Sequence, residues 1–440
     1  MNIIPYHLKT TNDLLTSRAG LVCIAKVMQS VGLSSLANTY FSAPKSNRGF
    51  QPSVFVNAMM LMLHEGGQCL DDLRHLRQDV ALRKILGLKQ VPTSDAMGDW
   101  LRRMGQQGVN AVTEMNRVLL KTALHHCQEV TLDIDATLSA SHNKSAKWTY
   151  KKCKGYMPMV GHIAETEQIV ATDFREGNVA PATDNLAFIK QCKAALPTGV
   201  TIKYLRVDAA GYQAAILDDC INQDVQFAIR AKMTSTLKQL IAQQASDQWQ
   251  PLPGRDGLET KGEMTCRVVH TMQESQHPFT VIVQRKRLKG QQALNLEQED
   301  NSSVVIEEAG YLYRAIATNR TSMSDSEIVH WYNQRAEHSE NRIKELKHDF
   351  SADRMPCQDF AANALYFSLC ALAYNLFALM RSLLPARFES CRAKTIRWRL
   401  YALAAKVVMH GRQVYLKCQA TSRSMLAEVL ARLHSHALGP

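Results

Sequence analysis

Three acids, far apart in the chain, carry the clearest chemical signal. Asp135 lies in TLDIDATLSA (131–140), Asp208 in IKYLRVDAAGY (202–212) and Glu340 in WYNQRAEHSENRIKELK (331–347). The first two sit in β-rich contexts. The third sits in a charged, helix-forming run with a capping signal, Ser324-x-x-Glu327, upstream of it. Glu340 is two helical turns from Lys347 and shares its face, with Tyr332 and Arg335 further upstream. Phosphodiester cleavage and transfer suit such a set. They call for two metal ions about 3.5–4 Å apart, one activating the attacking hydroxyl and one stabilising the leaving oxygen. Mg²⁺ takes oxygen ligands, typically a few carboxylates and a substrate phosphate. Asp133 and Asp135 are two apart on a strand and point to one face, so either serves as the first ligand. Taken singly, each acid reads equally well as a helix cap, a turn residue or a solvated side chain.

A strand, a strand end and a crossing helix must converge to bring the three together, and the chain supplies such elements. Residues 1–125 read as mostly helical, with an apolar helix at Ser53–His64. A helix stop at Gly87, a turn with Pro92 and a cap at Thr93 or Ser94 give a helix-turn-helix outline. Arg74, Arg77, Arg83, Lys84, Arg102 and Arg103 there could face phosphates, or form a solvated basic face. From 126 to 232 strands and helices alternate: a strand at Glu129–Thr137, a hairpin of 157–164 with 168–174, a helix near Asp184–Leu196, a strand at Ile202–Val207, a helix near 212–222 and a strand at 225–232. This alternation indicates an α/β core. Residues 233–320 hold β-rich runs between polar loops and read as a β-rich insertion. Residues 321–355 return the chain to the core with the helix of the third acid. Residues 356–440 read as helical again, with nine Lys or Arg against one acid, Glu389, between Arg381 and Lys417.

The bulk numbers fit this reading. A chain of 440 residues calls for two or three domains. A net charge of +12 points to a polyanionic partner. Eleven scattered cysteines without a CxxC pair argue for a reducing cytoplasm, and against a disulfide framework or structural zinc. The start, MNIIPYHLKTTNDLL, lacks the basic-then-apolar pattern of a signal peptide. Phe360–Met380 is uncharged for 21 residues, but Asn363, Ser368 and Asn375 interrupt it, so a buried core helix is expected and no membrane. There is no GxSxG elbow, Walker A loop, HExxH or strand-following GxGxxG.

With these residues in hand, the chain resembles a bacterial insertion-sequence transposase of the DDE type, in the group with a Tyr-Arg-Glu-Lys signature around the third acid. The matching pieces are LDIDAT (132–137), FREGNVAPATDN (174–185), YLRVDAAGY (204–212), YRAIATNR (313–320) and YNQRAEHSENRIKELK (332–347). Their order matches as well, with a short first gap and a long second one filled by the β-rich insertion. The resemblance spans about residues 50–420. It implies an RNase H-like catalytic core interrupted by that insertion, between helical N-terminal and C-terminal regions. It implies that Asp135, Asp208 and Glu340 are the catalytic metal ligands for Mg²⁺, with Mn²⁺ as a substitute and two ions bound. Tyr332, Arg335 and Lys347 match the residues expected to hold phosphates of the transposon end, and Arg342 on the same helix joins them. An Arg supplies a bidentate phosphate clamp and a Lys a point charge. The implied partners are double-stranded DNA, both terminal inverted repeats and target, and a second copy of the chain in a dimer, in the bacterial cytoplasm at the nucleoid. Metal-dependent nuclease action without joining, or non-catalytic DNA binding, are the alternatives. One departure stands out. Four residues rather than three separate Arg335 from Glu340, which turns Arg335 by about 100° relative to Glu340 unless a π-bulge absorbs it.

Overall fold

The computed structural model describes residues 3–254, 259–287, 304–306, 311–411 and 413–435. Residues 288–303 of the expected insertion and 436–440 of the C-terminal region lie outside them. The chain divides into two compact units, one of residues 116–344 and one of residues 1–115 with 345–440.

Unit 116–344 is organised by a ten-stranded sheet. Its strands are β1 (Glu129–Ala136), β2 (Met159–Ile163), β3 (Ile169–Asp173), β4 (Thr201–Val207), β5 (Gln226–Arg230), β6 (Gln250–Pro253), β7 (Glu259–His270), β8 (Phe279–Arg287), β9 (Val304–Ile306) and β10 (Tyr311–Thr318). The order is β6-β7-β8-β10-β5-β4-β1-β2-β3, with β9 paired to β10. β1, β2 and β3 are antiparallel neighbours, whereas β4 and β5 join β1 in parallel. The connections carry α1 (Asn185–Ala195), α2 (Ala214–Asn222) and α3 (Ser235–Ala242), and α4 (Asp325–Lys344) follows β10.

Side-chain alternation decides what each face of the sheet carries. On one face Leu132, Ile134, Leu205, Val207, Phe227 and Ile229 form a buried core with Phe188 and Ile189 of α1 and Ile216 and Leu217 of α2. The residues between them face the other way. There Ala228, Ile282 and Ile316 meet Ile328, Val329 and Tyr332 of α4. Burying each of the larger side chains contributes about 2 kcal/mol. The start of α4 is the expected capping box: the Ser324 amide donates to Glu327 Oε2 at 2.8 Å, and the Glu327 amide donates to Ser324 Oγ at 3.3 Å.

The described β-rich runs after residue 233 do not form a separate layer. β10 pairs with β5 through Thr318 and Ala228, and β7 and β8 extend the same sheet outward. The seam is tied by Thr318 Oγ1, which donates to the Phe227 carbonyl at 2.7 Å, and by the Asn319 side chain, which accepts from the Phe227 amide at 2.9 Å.

The other unit is mainly helical. Phe360–Leu383 is long and apolar enough to cross a membrane, yet residues Ala362 to Met380 are buried inside the protein. The expected cap at Thr93 is present, its hydroxyl accepting from the Ala96 amide at 3.1 Å ahead of the helix that starts at Ser94 and kinks at Gly105. The C-terminal region is less helical than its composition suggests. Ala405–His410 and Gln413–Lys417 form a hairpin that adds Leu14–Thr16 as a third strand. Gly411, at φ 57°, makes the turn a helix could not tolerate.

Candidate active site

The first two acids meet because two strands run in parallel. In the register of β1 and β4, Asp133 stands opposite Arg206 and Ile134 opposite Val207. One step further, at the carboxyl ends of both strands, come Asp135 and Asp208. Such ends are where open α/β sheets bind their ligands. Alternation puts Asp133, Asp135, Arg206 and Asp208 on the face covered by α4.

The two pairs differ in chemistry. Asp133 is fully buried and receives a two-pronged bond from Arg206, Nε to Oδ1 and Nη2 to Oδ2, both 2.7 Å. Arg206 Nη1 also donates to the Trp331 carbonyl of α4 at 2.8 Å, and Trp331 lies against its guanidinium. His162 on β2 approaches Asp133 at 3.7 Å and meets Ser339 of α4 at 3.0 Å. Sheet and helix are thus tied through a buried polar layer.

Asp135, by contrast, faces another acid. Burial pushes its pKa up to about 6; the charge of Arg335 opposes this and Asp208 reinforces it. Arg335 Nη2 donates to the Ile134 carbonyl at 3.0 Å and lies 3.6 Å from Asp135 Oδ2. Burial works against the charge of Arg335, but Asp135, then Tyr332 and Asp208, hold its pKa above the ordinary value. Its buried Nε has no hydrogen-bond partner among the described residues.

Asp208 is held by its own turn. Its carboxylate accepts from the Ala210 amide at 3.0 Å. Gly211 is required there, because a Cβ would lie 2.3 Å from Val207 Cγ1. The FREGNVAPATDN segment buttresses this turn: Asn185 and Gln213 both donate to the Ala210 carbonyl, at 3.2 and 2.8 Å, and Gln213 also reaches the Ala182 carbonyl at 2.8 Å. Arg175 pins the segment to Asp173 and to the Thr183 carbonyl.

The remaining candidates lie on or after α4. Tyr332 packs into the apolar cluster under the helix, with Arg230 over its ring at 5.1 Å. Arg342 is buried and donates to the Ile163 and Ala164 carbonyls. Arg335, Ser339 and Arg342, at helical spacing, make up the inward face of α4. Glu340 comes five residues after Arg335, about 140° around the helix. Its side chain is 66% exposed and pairs with Lys344 at 2.6 Å. The structure therefore brings Asp135 and Asp208 together but not Glu340. Among the described residues no group of three His, Cys, Asp or Glu side chains is poised around one ion position. Lys347, half-buried, lies in the π-helical segment Glu345–Asp349 of the other unit.

The sequence reading missed Arg206, His162 and Ser339. A signal existed: LDID and YLRVD each place two charged residues two apart, and parallel pairing sets one motif beside the other.

Residues 7–438 match the family model described as transposase DDE domain group 1. The chain belongs to the DDE transposase family. It is accordingly a DNA transposase, an enzyme that cleaves DNA and transfers strands, and enzymes of this family use divalent metal ions. No curated protein matches it. A solved structure that it resembles is the cryo-EM structure of a piggyBac transposase synaptic complex with hairpin DNA, at 10% sequence identity and a TM-score of 0.46, over 96% of this chain and 85% of that one. Asp135 and Asp208 fit a divalent ion. They are hard oxygen donors at the adjacent ends of two parallel strands, and the two carboxylates share one guanidinium, that of Arg335.

Proposed function

We propose that this transposase binds the terminal inverted repeats of an insertion sequence as a homodimer, cuts the element ends and joins the 3′-hydroxyl to target DNA. The observation that carries this reading is the pairing of Asp135 with Asp208 at the carboxyl ends of adjacent parallel strands. The strand order β3-β2-β1-β4-β5, three antiparallel strands followed by two parallel ones, supports an RNase H-like core for the unit 116–344. Its place of action is the bacterial cytoplasm, at the nucleoid.

Asp135 and Asp208 would hold Mg²⁺, with Mn²⁺ as a substitute and two ions in all, and Glu340 would complete the set. Bound there, the ions supply activation of water or hydroxyl and stabilisation of the leaving oxygen. The chain's own residues do the positioning. Arg206 fixes β1 against β4 through Asp133, and the Ala210 amide holds the Asp208 carboxylate. Arg335 balances Asp135 and offers a guanidinium for a DNA phosphate. Glu340 is paired with Lys344 on the exposed side, so its role requires this part of α4 to rearrange when DNA or metal binds. The exposed Arg74, Arg77, Lys84, Arg102 and Arg103 are the proposed phosphate-binding residues of the N-terminal region.

The test is strand transfer in vitro with purified protein, DNA bearing the element's own ends, a target plasmid, and Mg²⁺ present or absent. Metal-dependent joined product that disappears in Asp208→Asn is expected. Cleavage without joining would demote the protein to a nuclease. For the third acid, Glu340→Gln should abolish cleavage while end binding persists; retained cleavage would move that ligand elsewhere.

A further inference from the structure

Between Asp135 and Glu165 the chain has no acid, but it has five lysines. The segment folds into a small three-stranded sheet in which Lys154–Tyr156 lies between Ser139–Ala140 and Lys147–Trp148. Its base is fixed. Tyr156 is fully buried against Phe174 at 4.8 Å, and its hydroxyl lies 2.7 Å from Ser145 Oγ. A Cβ on Gly155 would come within 2.4 Å of the Ser139 carbonyl, and one on Gly177 within 2.3 Å of the Gly155 carbonyl. The tip is a defined turn: the amide and hydroxyl of Thr149 both donate to the Cys153 carbonyl, at 2.8 and 2.9 Å, and Lys152 takes φ 59°.

What this firm base holds out to solvent is unusual. Trp148 is 64% exposed and Tyr150 60% exposed. Lys147, Lys151, Lys152 and Lys154 are exposed beside them. A solvated basic loop would not need two large aromatic rings, whose burial would otherwise be favourable. Cations interleaved with exposed aromatics match a polyanion that presents flat apolar faces. Double-stranded DNA hides its base faces, whereas unpaired DNA displays them. The first strand of this sheet starts four residues after Asp135, so its anchor lies within about 14 Å of that acid along the chain.

We propose that the 139–156 hairpin binds unpaired DNA, with Trp148 and Tyr150 stacking on bases and Lys147, Lys151, Lys152 and Lys154 holding the phosphates. The inference rests on the DNA-cleaving role proposed above, because cutting creates unpaired or fraying ends next to the reacting phosphate. It assigns to the hairpin a preference that the carboxylates do not provide.

The test uses the full chain carrying Asp208→Asn, without divalent metal, so that binding is measured apart from catalysis. Fluorescence anisotropy compares a labelled oligothymidylate of about 15 nucleotides with a blunt duplex of the same length. Replacing Trp148 and Tyr150 together by Ala should weaken oligothymidylate binding by roughly tenfold to a hundredfold, with duplex binding unchanged within roughly twofold. Trp148→Phe with Tyr150→Phe should restore most of the loss. Replacing Lys147, Lys151 and Lys152 by Ala should flatten the salt dependence of single-strand binding by roughly 0.7 for each phosphate no longer neutralised. Unchanged binding in the double Ala variant, or equal losses on both probes, would overturn the proposal. Metal-dependent cleavage by the unsubstituted chain is scored separately. Cleavage with no aromatic effect sinks the hairpin alone, and an aromatic effect without cleavage sinks the catalytic reading alone.

Discussion

Asp133 and Asp135 stand two residues apart on one strand and one face, yet they meet opposite partners. Asp133 faces Arg206, which clamps both its oxygens, and both are buried. Asp135 faces Asp208, and the nearest cation, Arg335, is 3.6 Å from it and is shared with a backbone carbonyl. The first pair is electrostatically complete and ties the sheet to α4. The second pair carries surplus negative charge that an added cation would satisfy. A buried acid with a matched guanidinium is a fastener; an acid set beside another acid costs stability and is retained where chemistry needs it.

The largest effect should be on activity: Asp135→Asn and Asp208→Asn should each reduce metal-dependent cleavage below detection in a plasmid assay while the protein stays folded. Substantial cleavage by either variant would remove that acid from the chemistry. Next comes stability. Asp133→Asn or Arg206→Met leaves one charge buried without its partner and should cost about 3–5 kcal/mol in urea unfolding, whereas Asp135→Asn should cost less than about 1 kcal/mol. Equal losses for Asp133 and Asp135 would erase the distinction between fastener and ligand.

A pH series sharpens it further. The folded-state pKa of Asp135, about 6, lies above the ordinary 3.8. Its favourable contribution is therefore full below about pH 4 and is lost as pH rises through 6. With the side chain 28% exposed, the loss should be about 2 kcal/mol rather than the full value of the shift. In metal-free buffer, Asp135→Asn should gain that amount of stability relative to the unsubstituted protein between pH 4 and 7. A flat difference would mean that neither burial nor the charge of Asp208 raises the Asp135 pKa. The smallest effect concerns the layer beneath: Ser339→Ala, which removes the partner of His162, should cost about 1 kcal/mol and leave cleavage intact.

Much of the architecture was legible locally. The box at Ser324–Glu327, the cap at Thr93 and the uncharged run from Phe360 are each written in one contiguous stretch of chain, and the structure realises each of them. Long-range pairing was harder to read. The strands after residue 233 read as a β-rich insertion inside the core, but nothing in their composition names the neighbour to which they attach; β10 finds β5 across a separation of 90 residues, from Ala228 to Thr318. The hairpin at Ala405–Lys417 was hidden in a basic stretch that suits a helix equally well, and its pairing with Leu14–Thr16 reaches across nearly the whole chain.

At the site itself the division is physical. The two-residue period of a strand is local, so the sequence alone determined that Asp133 and Asp135 share a face, as do Arg206 and Asp208. Which of them would meet a guanidinium and which a carboxylate was decided by the parallel register between strands 73 residues apart. The sequence likewise determined that Arg335 and Glu340 point to different sides of one helix, because five residues make about 500° of rotation. Tertiary packing chose the side that faces the sheet. It turned inward the face with Arg335, Ser339 and Arg342, whose partners lie on β1, β2 and the turn after β2, and left Glu340 outward with Lys344.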